Sequence, residues 1–180
     1  MADNKTTKYD LKFWLTLMAE VFVAFVIFIA LSEWQVSDML PTDSQVPVIT
    51  SPTLTDESVT FPQATSDGPT TLVYFFAPWC TVCHFSIENL NTVASQYPDV
   101  QILIVALDYQ SVEEIKQFMA DHDLPFTIVI GDRRWADAYQ IKGFPSYYII
   151  SPDGAVLSRS MGYSSTVGML ARLNLSANAK

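Results

Sequence analysis

From Phe13 to Leu31 the chain reads FWLTLMAEVFVAFVIFIAL, apolar throughout except at Thr16 and Glu20. Such a run withdraws the first residues from any water-soluble core. As a helix it spans about 28 Å at 1.5 Å per residue, close to the hydrocarbon thickness of a bilayer. With 180 residues in all, the remainder has room for one ordinary domain and hardly for two.

Charge gives the run a direction. Lys5, Lys8 and Lys12 precede it, and the next basic residue is Lys116. The positive-inside rule therefore predicts residues 1–12 in the cytoplasm, residues 13–31 as a transmembrane anchor in lipid, and everything later outside. Tyr9, Trp14 and Trp34 suit the two interfaces. The alternative is a cleaved signal peptide, for which Ala30-Leu31-Ser32 offers small residues, although the apolar stretch exceeds a usual signal core. Both readings deliver the same domain to an extracytoplasmic space, the periplasm in a Gram-negative cell. Glu20 falls near mid-membrane, either to pair with a partner helix or as a protonated passenger.

Composition removes whole classes of function. A formal charge of −9 argues against nucleic acid as partner. Two cysteines exclude a disulfide scaffold and a four-cysteine zinc site, and two histidines, His84 and His122, exclude a histidine-rich metal centre. A hydrophobic fraction of 49% against 16% charged excludes a wholly disordered chain.

Glu33 to Pro69 is rich in Ser, Thr, Pro and Asp, and Pro41, Pro47, Pro52, Pro62 and Pro69 forbid helix through most of it. Residues 32–52 read as an extracytoplasmic linker and residues 53–180 as the folded domain. A short hairpin from Thr53-Leu54 through Asp56-Glu57 to Ser58–Phe61 is expected at the domain's edge.

Beyond Pro69 strands and helices alternate. Leu72–Phe76, Val100–Leu107 and Phe126–Ile130 read as buried strands. Cys80–Tyr97 reads as one amphipathic helix stopped by Pro98, and Ser111–Asp121 as a second, with Ser111 and Glu114 as a capping box. Asp132 starts a short helix holding Trp135 and Tyr139, both read as core, and Gly143 ends it. Ser146–Ile150 and Ala155–Ser160 flank the turn Ser151-Pro152-Asp153-Gly154, and Val167–Leu175 is a last helix. This order predicts a three-layer α/β/α sandwich with a mixed sheet, preceded by one transmembrane helix.

The chemistry concentrates at Trp79-Cys80-Thr81-Val82-Cys83-His84. Two cysteines three apart open a helix directly after a buried strand. The helix N-terminus carries partial positive charge and unsatisfied N–H groups that stabilise a thiolate. The first sulfur lies outermost and the second one turn in, and their spacing lets a disulfide close with little backbone movement.

Phe76-Ala77-Pro78-Trp79-Cys80-x-x-Cys83 resembles the active site of the thioredoxin superfamily, and Gly143-Phe144-Pro145-Ser146 resembles that family's cis-proline loop. The extra strand–helix unit, the N-terminal anchor and Ser151-Pro152-Asp153-Gly154 resemble its membrane-tethered, extracytoplasmic TlpA-like branch. The resemblance implies a thioredoxin-like fold and a thiol-disulfide oxidoreductase without cofactor or metal. Cys80 and Cys83 would then be catalytic and form the redox disulfide, with Trp79, Phe144 and Pro145 contacting the substrate. Members of the branch receive electrons from a membrane thiol reductase and pass them to protein clients with disulfides, for example in cytochrome c maturation or copper-site assembly. Two positions depart from the family's pattern. Tyr74 stands where thioredoxins carry a buried Asp, and Ser86 where many TlpA-like proteins carry Glu. The proton acceptor for Cys83 and the direction of electron flow therefore stay open.

Four further residues remain ambiguous. His84 is either a solvated partner of Glu88 at i+4 or a group that tunes the thiol, and Tyr74 is either sheet packing or a hydroxyl meeting Cys83. Asp108 ends a strand within possible reach of the redox face, and His122 reads as a helix-end residue without chemistry. Two rival chemistries share the same residues. Cys-x-x-Cys-His also spells c-type haem attachment, with His84 and one of Met119, Met161 or Met169 as axial ligands; two thiolates also suit Cu(I).

Overall fold

The computed structural model describes residues 6–63, 65, 68–163 and 165–177, without side chains for residues 6–11, 28 and 32–35. It divides into two compact units, Met1–Ser37 and Asp38–Lys180. The first is a single helix, α1 (Thr6–Val36), whose stretch Lys12–Leu31 is long and apolar enough to cross a membrane. Lys5 and the side chains of Lys8, Tyr9 and Trp34 lie outside the described residues.

In the second unit the apolar run Thr71–Phe76 forms β3, buried at every position because it is the middle strand of the sheet. Its neighbours are β4 (Gln101–Ala106), parallel to it, and β6 (Ser146–Ile150), antiparallel. Outside these lie β5 (Thr127–Ile130), parallel to β4, and β7 (Val156–Met161), antiparallel to β6. The order β5-β4-β3-β6-β7 is the expected mixed sheet. Gly154, at φ 89, supplies the left-handed turn residue between β6 and β7 that an L side chain rarely adopts.

Period-two alternation along the strands separates the two faces. Leu72, Tyr74 and Phe76 pack with residues from α2 (Thr81–Ser86), α3 (Asn89–Gln96), α4 (Val112–Ala120) and α6 (Thr166–Ala177). On the opposite face Phe75 lies among the rings of Trp135, Tyr139 and Tyr148, the first from α5 (Arg133–Ala138) and the second its C-cap. Trp135 and Tyr139 are both fully buried, as core residues should be.

Local outcomes differ from the sequence reading in five places. The hairpin forms, but its first arm is β1 (Ile49–Pro52), paired with β2 (Ser58–Phe61) in a separate two-stranded sheet. The linker expected over 32–52 is therefore too long, because chain from Asp38 onward belongs to the domain. Met39, Val46 and Ile49 are buried there, and Arg159 donates to the Met39 carbonyl at 2.7 Å. The helix expected over Cys80–Tyr97 breaks into α2 and α3, where Leu90 and Asn91 donate to carbonyls only three residues back, those of Ile87 and Glu88. α5 closes before Gly143, at Gln140. That residue takes a φ of 49 and lets Ile141 N–H reach the Ala136 carbonyl at 2.9 Å in a Schellman-type ending. The capping box of α4 forms with one arm displaced: Ser111 accepts from the Glu114 N–H, while the Glu114 carboxylate accepts from Gln110 N–H at 2.9 Å.

Candidate active site

Everything that positions the two sulfurs comes from the C-terminal end of β3. Ala77-Pro78-Trp79 turns the chain out of the sheet, and Cys80 becomes the N-cap of α2 with extended dihedrals of φ −79 and ψ 103. Its sulfur does what a capping oxygen normally does, accepting the Cys83 N–H at 3.1 Å. That N–H and the helix dipole are ready to stabilise negative charge on Cys80 once the sulfur is a thiolate. Cys83 lies one turn in and fully buried, with its Cα 5.2 Å from that of Cys80, and the two are joined as a disulfide.

The loop Gly143–Ser146 arrives from the other side. Phe75 pairs with Ser146, so Pro145 stands one step further along, beside the end of β3 from which Cys80 springs. The Phe144–Pro145 bond is cis, as the resemblance implied; the Phe61–Pro62 bond, for which nothing in the sequence prepared, is cis too. Phe144 meets the Trp79 ring edge-on at 6.0 Å.

Trp79 is 65% exposed yet held in place. Its indole N–H donates to both the carbonyl and the carboxylate of Asp108, at 3.0 and 3.1 Å. Asp108 therefore belongs to the redox face, at a left-handed φ of 48 just beyond β4. The Trp79–Asp108 pair forms a ridge between two grooves. One, of about 330 Å³, is lined by Pro78, Trp79, His84, Glu114, Phe118 and Asp121. The other, of about 540 Å³, includes Asp108, Asp132, Arg133, Lys142 and Phe144 in its lining.

The departures at Tyr74 and Ser86 turn out to be partners. The Tyr74 hydroxyl and Ser86 Oγ lie 2.6 Å apart, both fully buried in the same core as Cys83. Tyr74 is thus engaged with Ser86 rather than with Cys83. Burial pushes the Tyr74 hydroxyl pKa well above its ordinary value, and the Ser86 bond offsets this only in part. The hydroxyl stays neutral.

His84 does not bond Glu88 directly. His84 Nδ1 meets His122 Nε2 at 3.0 Å, and His122 Nδ1 meets Glu88 Oε1 at 3.0 Å. Phe118 packs beneath both imidazoles, with centroids at 4.3 and 4.9 Å. His122 therefore stands at the end of α4, as read, with a defined partner on each ring nitrogen. Sequence inspection missed it because the two histidines are far apart along the chain. The only signal was a pair of histidines on elements that pack together.

Residues of the haem and copper readings have protein neighbours in this structure. The sulfurs are joined to each other, one His84 nitrogen is committed to His122, and Met169 is fully buried in the core. Among the described residues no three His, Cys, Asp or Glu side chains gather as a metal-binding group.

A cysteine pair on a helix tip after the middle strand of a mixed sheet, faced by a cis-proline loop, defines a thioredoxin-like thiol-disulfide oxidoreductase. Within that class the chain belongs to the AhpC/TSA family, whose model matches residues 42–159. It is 25% identical over 135 residues to the thioredoxin-like protein YneN of Bacillus subtilis, covering 73% of this chain and 78% of that one. It is 26% identical over 97 residues to the thiol-disulfide oxidoreductase ResA of Bacillus cereus, covering 53% of this chain and only 56% of the relative. A thiol:disulfide interchange protein from Bacteroides sp. shares the fold, with a TM-score of 0.65 at 22% identity over 78% of this chain and 93% of that chain.

Proposed function

We propose that this protein is a membrane-tethered, extracytoplasmic reductant of disulfides in protein clients, with Cys80 as nucleophile and Cys83 as resolving cysteine. The observation that carries the reading is the Cys83 N–H aimed at the Cys80 sulfur at 3.1 Å, with Cys83 buried behind it. A thiolate at Cys80 attacks a client disulfide. One Cys80–client bond forms, the client S–S bond breaks, and the departing sulfur takes the electron pair and a proton. Cys83 then loses its proton and attacks Cys80 Sγ, closing the Cys80–Cys83 bond and releasing the second client sulfur, which takes up a proton. Two electrons and two protons pass to the client.

Trp79, Phe144 and Pro145 serve as the docking surface, and the ridge and grooves around Trp79 supply the relief for an extended client segment. Tyr74 and His84 act on the thiols indirectly, Tyr74 as a neutral floor and His84 from the rim. A membrane thiol reductase returns the electrons. The anchor is the apolar helix α1, with residues 1–12 in the cytoplasm and the domain in the periplasm or its equivalent, a reading supported by the lysines clustered before the run. Clients of cytochrome c maturation or copper-site assembly fit this placement.

Cys83→Ala is expected to trap a Cys80–client mixed disulfide, seen as a band shift that reductant removes, whereas Cys80→Ala should trap none. Trapping by Cys80→Ala alone would reverse the roles. The second reading, an oxidase or isomerase on the same fold, stays open because Val82 stands where a proline is common and the intervening residues tune the potential. Equilibration against glutathione separates the two: a potential near about −270 mV indicates a reductant and one near about −120 mV an oxidant.

A further inference from the structure

We infer that Glu88, His122 and His84 form a hydrogen-bonded relay that runs from an exposed carboxylate to the rim of the redox site and sets the pH at which Cys80 reacts. The inference rests on Cys80 being the nucleophile, as proposed above, but adds two residues and a regulatory property to it.

The relay is continuous in hydrogen bonds. It starts at Glu88, whose side chain is 65% exposed, at the break between α2 and α3. It passes through His122, whose side chain is only 7% exposed, on the loop after α4. It ends at His84 on α2. An ionised Glu88 can only accept, so His122 Nδ1 must carry a hydrogen. One hydrogen then lies between His122 Nε2 and His84 Nδ1, whichever ring holds any extra proton. The free end of the relay is His84 Nε2.

That end has a place in the chemistry. His84 is four residues after Cys80, on the same helix face, and helical side chains lean toward the N-terminus. The His84 ring shares the groove with Pro78 and Trp79, the two residues leading into Cys80. Phe118 packs against both imidazoles and shields the link between them.

The charges around the relay all have one sign. Glu88 closes it, Asp121 and Asp123 flank His122, and Glu114 and Asp121 line the groove with His84. Lys116 on α4 is turned to Glu113 instead. A proton on His84 Nε2 gives the relay one positive charge, and that charge favours a thiolate at Cys80. When Cys80 attacks a client disulfide, the departing sulfur takes the proton from His84 Nε2, and that nitrogen regains one from solvent in the groove.

The test uses the full-length chain, reduced, in detergent. The rate of Cys80 alkylation by iodoacetamide is followed from pH 4 to 9 in the parent, Glu88→Gln, His122→Asn and the double variant. Glu88→Gln keeps the acceptor shape at an exposed position and removes only the charge. The pH midpoint of alkylation is expected to rise by about half a unit to one unit in each single variant, with the rate at pH 6 falling about three- to tenfold. The double variant should match the larger single effect, because either change cuts the same path. An unchanged midpoint in Glu88→Gln, or additive shifts in the double variant, overturns the relay. Mixed-disulfide trapping by Cys83→Ala with an intact relay is scored separately. If trapping occurs and the midpoints do not move, the relay fails and the proposed function stands. If trapping fails, the nucleophile assignment itself falls.

Discussion

The two sulfurs of the disulfide look onto unlike surroundings. Starting at His84 on α2, two imidazoles are linked in series to an exposed carboxylate. In the core with Cys83 lie the hydroxyls of Tyr74 and Ser86, bonded to each other and fully buried. The outer side is built of imidazole and carboxylate, whereas the inner side holds a tyrosine kept neutral by its burial. The outward side thus offers imidazoles and a carboxylate, and the inward side has no carboxylate at Tyr74 or Ser86.

The largest way to break this contrast is to put an acid inside. Tyr74→Asp introduces a carboxyl in the middle of β3 without a basic partner and empties the ring's volume. It should cost about 3–5 kcal/mol in urea unfolding at pH 7. The inner pair itself is sharpened by a double-mutant cycle. Ser86→Ala leaves the Tyr74 hydroxyl buried and unpaired, at about 1–3 kcal/mol, while Ser86→Ala with Tyr74→Phe should cost less than the two single changes together.

Alkaline pH reaches the inner side without mutation. Tyrosines in the unfolded chain release protons near about pH 10, while the folded state holds Tyr74 neutral to higher pH. The unfolded state then binds fewer protons, so stability is intact below that point and falls as pH rises beyond it. Thermal melts from pH 8 to 12 should show this decline, and Tyr74→Phe should make it shallower. The smallest effect belongs outside: Glu88→Gln should move the denaturant midpoint by no more than about 0.5 kcal/mol of stability at pH 7, since the carboxylate is exposed. A larger loss would make Glu88 a structural residue.

Much of this architecture was legible in the chain. The buried runs at Leu72–Phe76 and Val100–Leu107 announced strands because a central parallel strand must be apolar on both faces. Trp79-Cys80-x-x-Cys83 and Phe144-Pro145 carried the site because their residue types are few and their order specific. What stayed hidden was long-range or a matter of one bond. Glu88 at i+4 from His84 invited a direct pair, and only tertiary packing of α4 inserted His122 between them. Tyr74 and Ser86 each read as a missing acid, and nothing local says that two such positions satisfy one another. Residues 38–52 read as linker because Ser, Thr and Pro are common there, while Met39, Val46 and Ile49 were too sparse to signal burial.

That same stretch also disposes of a hazard. Asp43 and Ser44 exchange hydrogen bonds with Val156 at the start of β7, and Leu54 donates to the Ile128 carbonyl on β5, next to a bridge from Thr53 to Val129. One short length of chain thus occupies part of both margins of the five-stranded sheet, where unpaired N–H and C=O groups would otherwise invite another molecule's strand. A domain trimmed to begin at Thr55 would keep its cysteines and expose both margins, and self-association, rather than lost chemistry, would be its first defect.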